Sequence, residues 1–146
     1  MTATRPNATG VPGYSETLLC KPESVRRARR LVDTALDTWG LDALIDEVSV
    51  VASELVTNAV QHSKCRRLRF RVSRPAHGRV LVTVTDRSFA RPILRAPCAQ
   101  DTHGRGLILV AELADRWGTK RRSFGKSVWA ELAAEVTSNP CPPAPL

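Results

Sequence analysis

From Arg67 to Asp86 the chain alternates with a period of two, twice over, around a single turn. Leu68, Phe70 and Val72 alternate with Arg67, Arg69 and Arg71; Val80, Val82 and Val84 then alternate with Leu81, Thr83 and Thr85. Successive side chains on a strand point to opposite faces, so the first run reads as a half-buried strand and the second as its return. Pro75-Ala76-His77-Gly78 supplies the turn between them, and the pair is expected to be an antiparallel hairpin.

Ahead of the hairpin the period changes to that of a helix. Val25, Ala28, Val32, Ala35, Leu36 and Trp39 recur at three- and four-residue spacing, after a Pro22-Glu23-Ser24 start signal and before Gly40 as a stop. Arg26, Arg27, Arg29 and Arg30 lie off this stripe and read as its solvated face, with partner contact as the alternative. A second helix is expected from Asp42, as N-cap, to about Ser63, with Leu44, Val48, Val51, Ala52, Leu55 and Ala59 on its apolar stripe. A short strand, Ser15 to Cys20, precedes both.

After the hairpin, Arg87 to His103 has no periodicity, the length and character of a lid or binding loop. Gly104-Arg105-Gly106 then leads into the apolar helix Leu107 to Ala114, and strands Asp115 to Arg121 and Ser127 to Leu132 flank a Ser123-Phe124-Gly125-Lys126 turn. Helices grouped apart from hairpin-connected strands predict an α+β fold, a two-layer α/β sandwich with helices on one face of a mainly antiparallel sheet. The expected organisation is one domain over 14–136 between a Thr/Pro/Asn/Gly-rich tail (1–13) and a proline-rich tail (137–146).

Composition sets the outer limits. A hydrophobic fraction of 42% and a charged fraction of 25% suit a globular domain. No run of about 18 apolar residues and no secretory h-region is present, so a cytosolic location and no membrane partner are expected. Cys20, Cys65, Cys98 and Cys141 are scattered, without zinc-ligand spacing, and read as free thiols. A net charge of +8 keeps nucleic acid on the list of partners but disfavoured, because the arginines spread over several elements and aromatics make up only 5% of the chain.

Chemistry concentrates on the second helix. Glu54, Asn58 and His62 are spaced four apart and stack on one helical face beside the apolar stripe. A carboxylate next to an amide oxygen meets two needs of phosphoryl transfer, a general base and an oxygen ligand for Mg²⁺; taken alone, the triplet also fits a solvated stripe. Asp86 stands at a strand end, where a carboxylate can meet the exocyclic amine of a ligand or simply begin a turn. Gly104 and Gly106 ahead of a helix allow backbone N–H groups to approach phosphates, or form an ordinary loop-to-helix junction. There is no G-x-x-x-x-G-K-[ST] and no strand-borne G-x-G-x-x-G, so P-loop and Rossmann nucleotide binding lose support.

Together these segments resemble the ATP-binding boxes of the histidine-kinase-like (GHKL) ATPases, particularly the short bacterial anti-sigma-factor serine/threonine kinases and their actinobacterial relatives. The stretch from Ser53 to Ser63, SELVTNAVQHS, resembles the N box, and Val84-Thr85-Asp86-Arg87-Ser88 the first glycine box. Gly104-Arg105-Gly106-Leu107, followed by Leu113 to Gly118, resembles the second box, and Gly125 to Leu132 the closing strand. The resemblance spans about Ser15 to Glu135 and implies a Bergerat-type fold that binds ATP with Mg²⁺. It implies Glu54 as general base and Asn58 as Mg²⁺ ligand. Asp86 would bind the adenine amine, His62 and Ser88 would line the pocket, and Gly104, Arg105, Gly106 and Leu107 would wrap the phosphates. Ser127 would take a position near adenine that is usually Thr.

Two departures stand out: the glycine that many members carry two residues after the aspartate is absent, and no phosphoacceptor-histidine helix pair precedes the domain. The resemblance implies a kinase that phosphorylates an anti-sigma-factor antagonist and sequesters a sigma factor, and relatives of this type are commonly homodimers. The competing reading is a nucleotide-binding partner-switching module without turnover.

Overall fold

The two alternating runs form β2 (Arg67–Ser73) and β3 (Arg79–Asp86) in the computed structural model, which describes residues 11–62, 66–86, 107–122 and 125–134. They are joined by the expected turn, closed by Arg79 N–H to the Ala76 carbonyl at 3.0 Å, with Gly78 at a φ of 72° that favours glycine. On either side lie β1 (Gly13–Leu19), β4 (Arg116–Arg122) and β5 (Gly125–Ala133). The five strands make one sheet in the order β1-β2-β3-β5-β4, with every pairing antiparallel.

Helices α1 (Ser24–Trp39) and α2 (Ile45–His62) pack side by side on one face of this sheet. Their apolar stripes meet the even-numbered positions of β2 and β3: Phe70, Val72, Val80 and Val82 have no exposed surface, nor do Val32, Leu36, Val48 and Val51 opposite them. A third helical segment, α3 (residues 107–113), sends Val110 into the same core. This is the two-layer α+β arrangement that the hairpin and the two stripes imply.

Several boundaries differ from the sequence reading. β1 begins at Gly13, two residues early and inside the expected tail. Asp42 does not cap α2; Asp42–Leu44 forms a 3-10 turn without a side-chain cap bond, and the α-helix starts at Ile45. Gly40 does stop α1. Its φ of 71°, its N–H on the Asp37 carbonyl at 3.2 Å and the Leu41 N–H on the Leu36 carbonyl at 2.8 Å make a Schellman cap.

The arginine cluster on α1 divides. Arg26, Arg29 and Arg30 are exposed, whereas Arg27 reaches β1 and grips Glu16, with Nη2 to Oε1 at 2.8 Å and Nε to Oε1 at 3.1 Å. Cys20 is a free thiol; the other three cysteines and most of both expected tails lie outside the described residues. Among the described residues no helix is long and apolar enough to cross a membrane.

Phe70 is the largest of the fully buried side chains, on a central strand with β1 and β3 to either side. Phe70→Ala removes its burial and leaves a cavity, so unfolding in urea is expected to show a loss of about 3–5 kcal/mol. A loss below about 1 kcal/mol would mean that this position is not core.

Candidate functional site

The packing of α2 on β3 and β5 stops short of the strand ends, and a cleft opens there. It is lined by Leu55, Asn58, Ala59 and His62 of α2, Val84 and Asp86 of β3, and Lys126 and Val128 of β5. Its volume is about 270 Å³ including the mouth. The periodicities dictate who faces it: residues 55, 58, 59 and 62 share one side of a helix, and residues 84 and 86 share one side of a strand.

The walls are of two kinds. Leu55, Ala59, Val84 and Val128 give apolar surface suited to the faces of a flat ring, while Asn58, His62, Asp86 and Lys126 bring an amide, an imidazole, a carboxylate and an ammonium group to the same space. Asp86 is only 2% exposed. A carboxylate so deeply set is an acceptor fixed at the cleft floor, able to take an N–H from an exocyclic amine. Asn58, one turn above His62, offers an amide oxygen of the kind that hard cations accept.

Lys126 is the group that sequence reading missed. Pairing of β3 with β5 sets Asp86 directly opposite Lys126 and Thr85 opposite Ser127. Cross-strand neighbours on one face have Cβ atoms about 4.5–5.5 Å apart, so the Lys126 side chain starts beside Asp86 and its stem lines the cleft. Ser127, expected beside adenine, is on the other side of the sheet, its hydroxyl 2.8 Å from that of Thr85. This corrects the expectation by one residue, and on a strand one residue is a change of face. The signal was in the sequence: Val128, Ala130 and Leu132 face the core, so the even-numbered Lys126 joins them.

The other expected residues fall in three groups. Asn58, His62 and Asp86 meet in the cleft. Glu54 lies one turn before Asn58 on α2, half-buried, and is not part of the lining. Ser88, Gly104, Arg105 and Gly106, with the whole Arg87 to His103 loop, lie outside the described residues; Leu107 is described, half-buried and packed against the core at the start of α3.

Two comparisons with known proteins bear on this site. Residues 19–132 match the family model of the histidine kinase-like ATPase domain. The chain belongs to that family. The match runs from the last residue of β1 through β5 and so takes in every wall of the cleft. Among curated proteins none matches the chain significantly. Membership of this ATPase family supports an ATP-binding regulatory function for the domain.

Burial against the cleft walls, and then the charge of Lys126, hold the His62 imidazole below its ordinary value of 6.5. Folded protein thus binds this proton more weakly than unfolded chain. The neutral ring's contribution to stability is complete above pH 6.5 and is lost as pH falls through the lower folded value. Lys126→Met removes the second cause and leaves the first. NMR titration of the His62 ring is expected to show a midpoint higher than in the parent yet still below 6.5; an unmoved midpoint would place the ammonium group away from the cleft.

Proposed function

We propose that this domain binds Mg²⁺-ATP in the cleft and acts as a protein serine/threonine kinase on an anti-sigma-factor antagonist, while sequestering a sigma factor. The observation that carries the reading is the buried Asp86 carboxylate at the floor of an apolar cleft that also holds Asn58. The base would lie between Leu55, Ala59, Val84 and Val128 with its amine on Asp86, directing the phosphates past Asn58 toward Glu54 and the glycine-flanked loop ahead of α3. Mg²⁺ keeps most of its ligands as water and phosphate oxygens, and Asn58 would add one protein oxygen.

Glu54 supplies the chemistry in this proposal. Its carboxylate takes the proton of the attacking serine or threonine hydroxyl, the new oxygen–phosphorus bond forms on the γ-phosphate, and the bond to the β,γ-bridging oxygen breaks to release ADP. Its place outside the cleft lining agrees with that role, because the γ-phosphate lies at the far end of the nucleotide from the base.

The second reading is a partner-switching module that binds nucleotide without transferring phosphate. It is favoured by one feature: Lys126 stands opposite Asp86, so adenine must compete with an ammonium group for the carboxylate.

Incubation with γ-labelled ATP, Mg²⁺ and candidate antagonist proteins separates the two. Stoichiometric labelling of a serine or threonine is expected with the parent. Glu54→Ala is expected to bind ATP as the parent does and to transfer about 10²–10⁴ times more slowly. ATP binding with no transfer to any antagonist would leave the module reading, and an unchanged rate in Glu54→Ala would remove the general base.

A further inference from the structure

Among the described residues no helix packs on the second face of the sheet, and its charge is one-sided. The pairing registers align Thr17, Arg69, Thr85, Ser127 and Lys120 in one row across the five strands, and Ser15, Arg71, Thr83, Trp129 and Gly118 in the next. Neither row contains an acid. The one carboxylate that the strands place on this face, Glu131, lies one row further on and is already engaged: Arg79 Nε donates to its Oε2 at 2.6 Å and Arg116 Nη2 to its Oε1 at 2.8 Å. Arg67, Arg69, Arg71 and Lys120 have no ion-pair partner among the described residues.

Trp129 gives the face a second character. A Cβ placed on Gly118 would sit 3.1 Å from indole Cζ2 and 3.3 Å from Cε2 and Nε1. The ring therefore lies over the glycine of the neighbouring strand, close to the backbone, where any larger residue would push it off. Trp129 is half-buried there, on the face away from the helices.

We propose that this face binds single-stranded nucleic acid. Arg67, Arg69 and Arg71 succeed one another on β2 at about 6.6–6.8 Å, two strand residues apart, an extended cationic track for a phosphate backbone. Trp129, two strands away, is a platform on which an unpaired base stacks. Thr83 and Thr85, both half-buried, lie on the strand between track and platform, while Ser127 is only 1% exposed and takes no part. Stacking needs a base free of its partner, so a single strand can use both the cations and the indole where a duplex can use only the cations.

Other occupants fit less well. A second copy meeting through this face would set like charges against each other across a two-fold axis. The chain's own segments outside the structure are no better matched: residues 87–106 carry Arg87, Arg91, Arg95 and Arg105 against Asp101, and residues 135–146 carry a single acid, Glu135. An acidic protein would use the arginines and leave the indole without a role.

The test uses the full chain with a fluorescein-labelled twelve-nucleotide oligothymidylate, a duplex of equal length, and poly-glutamate as competitor. The single strand is expected to bind with a log–log salt slope of about −3, from four cations at about −0.7 each. Charge removal in Arg69→Gln/Arg71→Gln is expected to weaken binding at least about tenfold at low salt and to flatten the slope by about 1.4. Trp129→Leu is expected to weaken binding with the slope unchanged, a result that lost charge alone would not give. Thermal unfolding of each variant confirms that the fold is retained. The proposal is overturned by no binding at 50 mM salt, by duplex binding as tightly as the single strand, or by arginine variants without effect. Displacement by poly-glutamate with Trp129→Leu unaltered would assign the face to an acidic protein instead.

Discussion

Everything that can bind a ligand on the helical side depends on how α2 lies against β3 and β5. Leu55 and Ala59 face Val84 and Val128 across the cleft, and the packing of the apolar stripe behind them fixes which side of α2 brings Asn58 and His62 to it. Because a helix repeats every 3.6 residues and a strand every two, the groups that line the cleft cannot be moved independently. A shift of one residue in β5 would exchange Lys126 for Ser127, and a rotation of α2 by one position would take Asn58 out of the cleft. The site is thus a by-product of core packing, its walls an extension of the apolar core.

The second organising effect is the sorting of charge between the faces. On the helical side the strands contribute few charges: Glu16, which pairs with Arg27 at the β1 edge, and Asp86, which has Lys126 as its cross-strand neighbour in the cleft. On the other side Glu131 ties β3, β5 and β4 through two guanidinium groups. Burial alone would raise its carboxyl, but the hydrogen bonds from Arg79 and Arg116 outweigh burial and hold it below its usual range. Arg67, Arg69 and Arg71 on that face have no ion-pair partner among the described residues, and they follow the same alternation that buries Leu68, Phe70 and Val72 on the other. One period-two pattern therefore makes half the core and the cationic track together.

Much of this was legible in the chain before any coordinates. β2 and β3 begin and end where the alternation does, and α1 stops at the glycine that its stripe runs into. Asn58, His62 and Asp86 share one cleft because each stands at a fixed phase of a strongly periodic element. Where the sequence misled, local signals competed. Asp42 has N-cap chemistry, but Leu44 is buried and the chain takes a tighter 3-10 turn to set it there. Ser127 attracted attention for its hydroxyl, whereas the pleat, read from Val128, Ala130 and Leu132, puts Lys126 in the cleft. The flat seat of Trp129 on Gly118 was beyond sequence reading, because the two are 11 positions apart and meet only through the β4–β5 register.

The central claim is that the buried carboxylate of Asp86 recognises an adenine amine, and calorimetric comparison of ATP with GTP tests it most directly. A carboxylate accepts from a 6-amino group and repels a 6-oxo group, so the parent is predicted to bind one ATP per chain at least about tenfold more tightly than GTP. In Asp86→Asn, whose amide can face either way, that preference is predicted to vanish. Equal affinity for the two nucleotides in the parent, or a preference for ATP that survives in Asp86→Asn, would contradict the account.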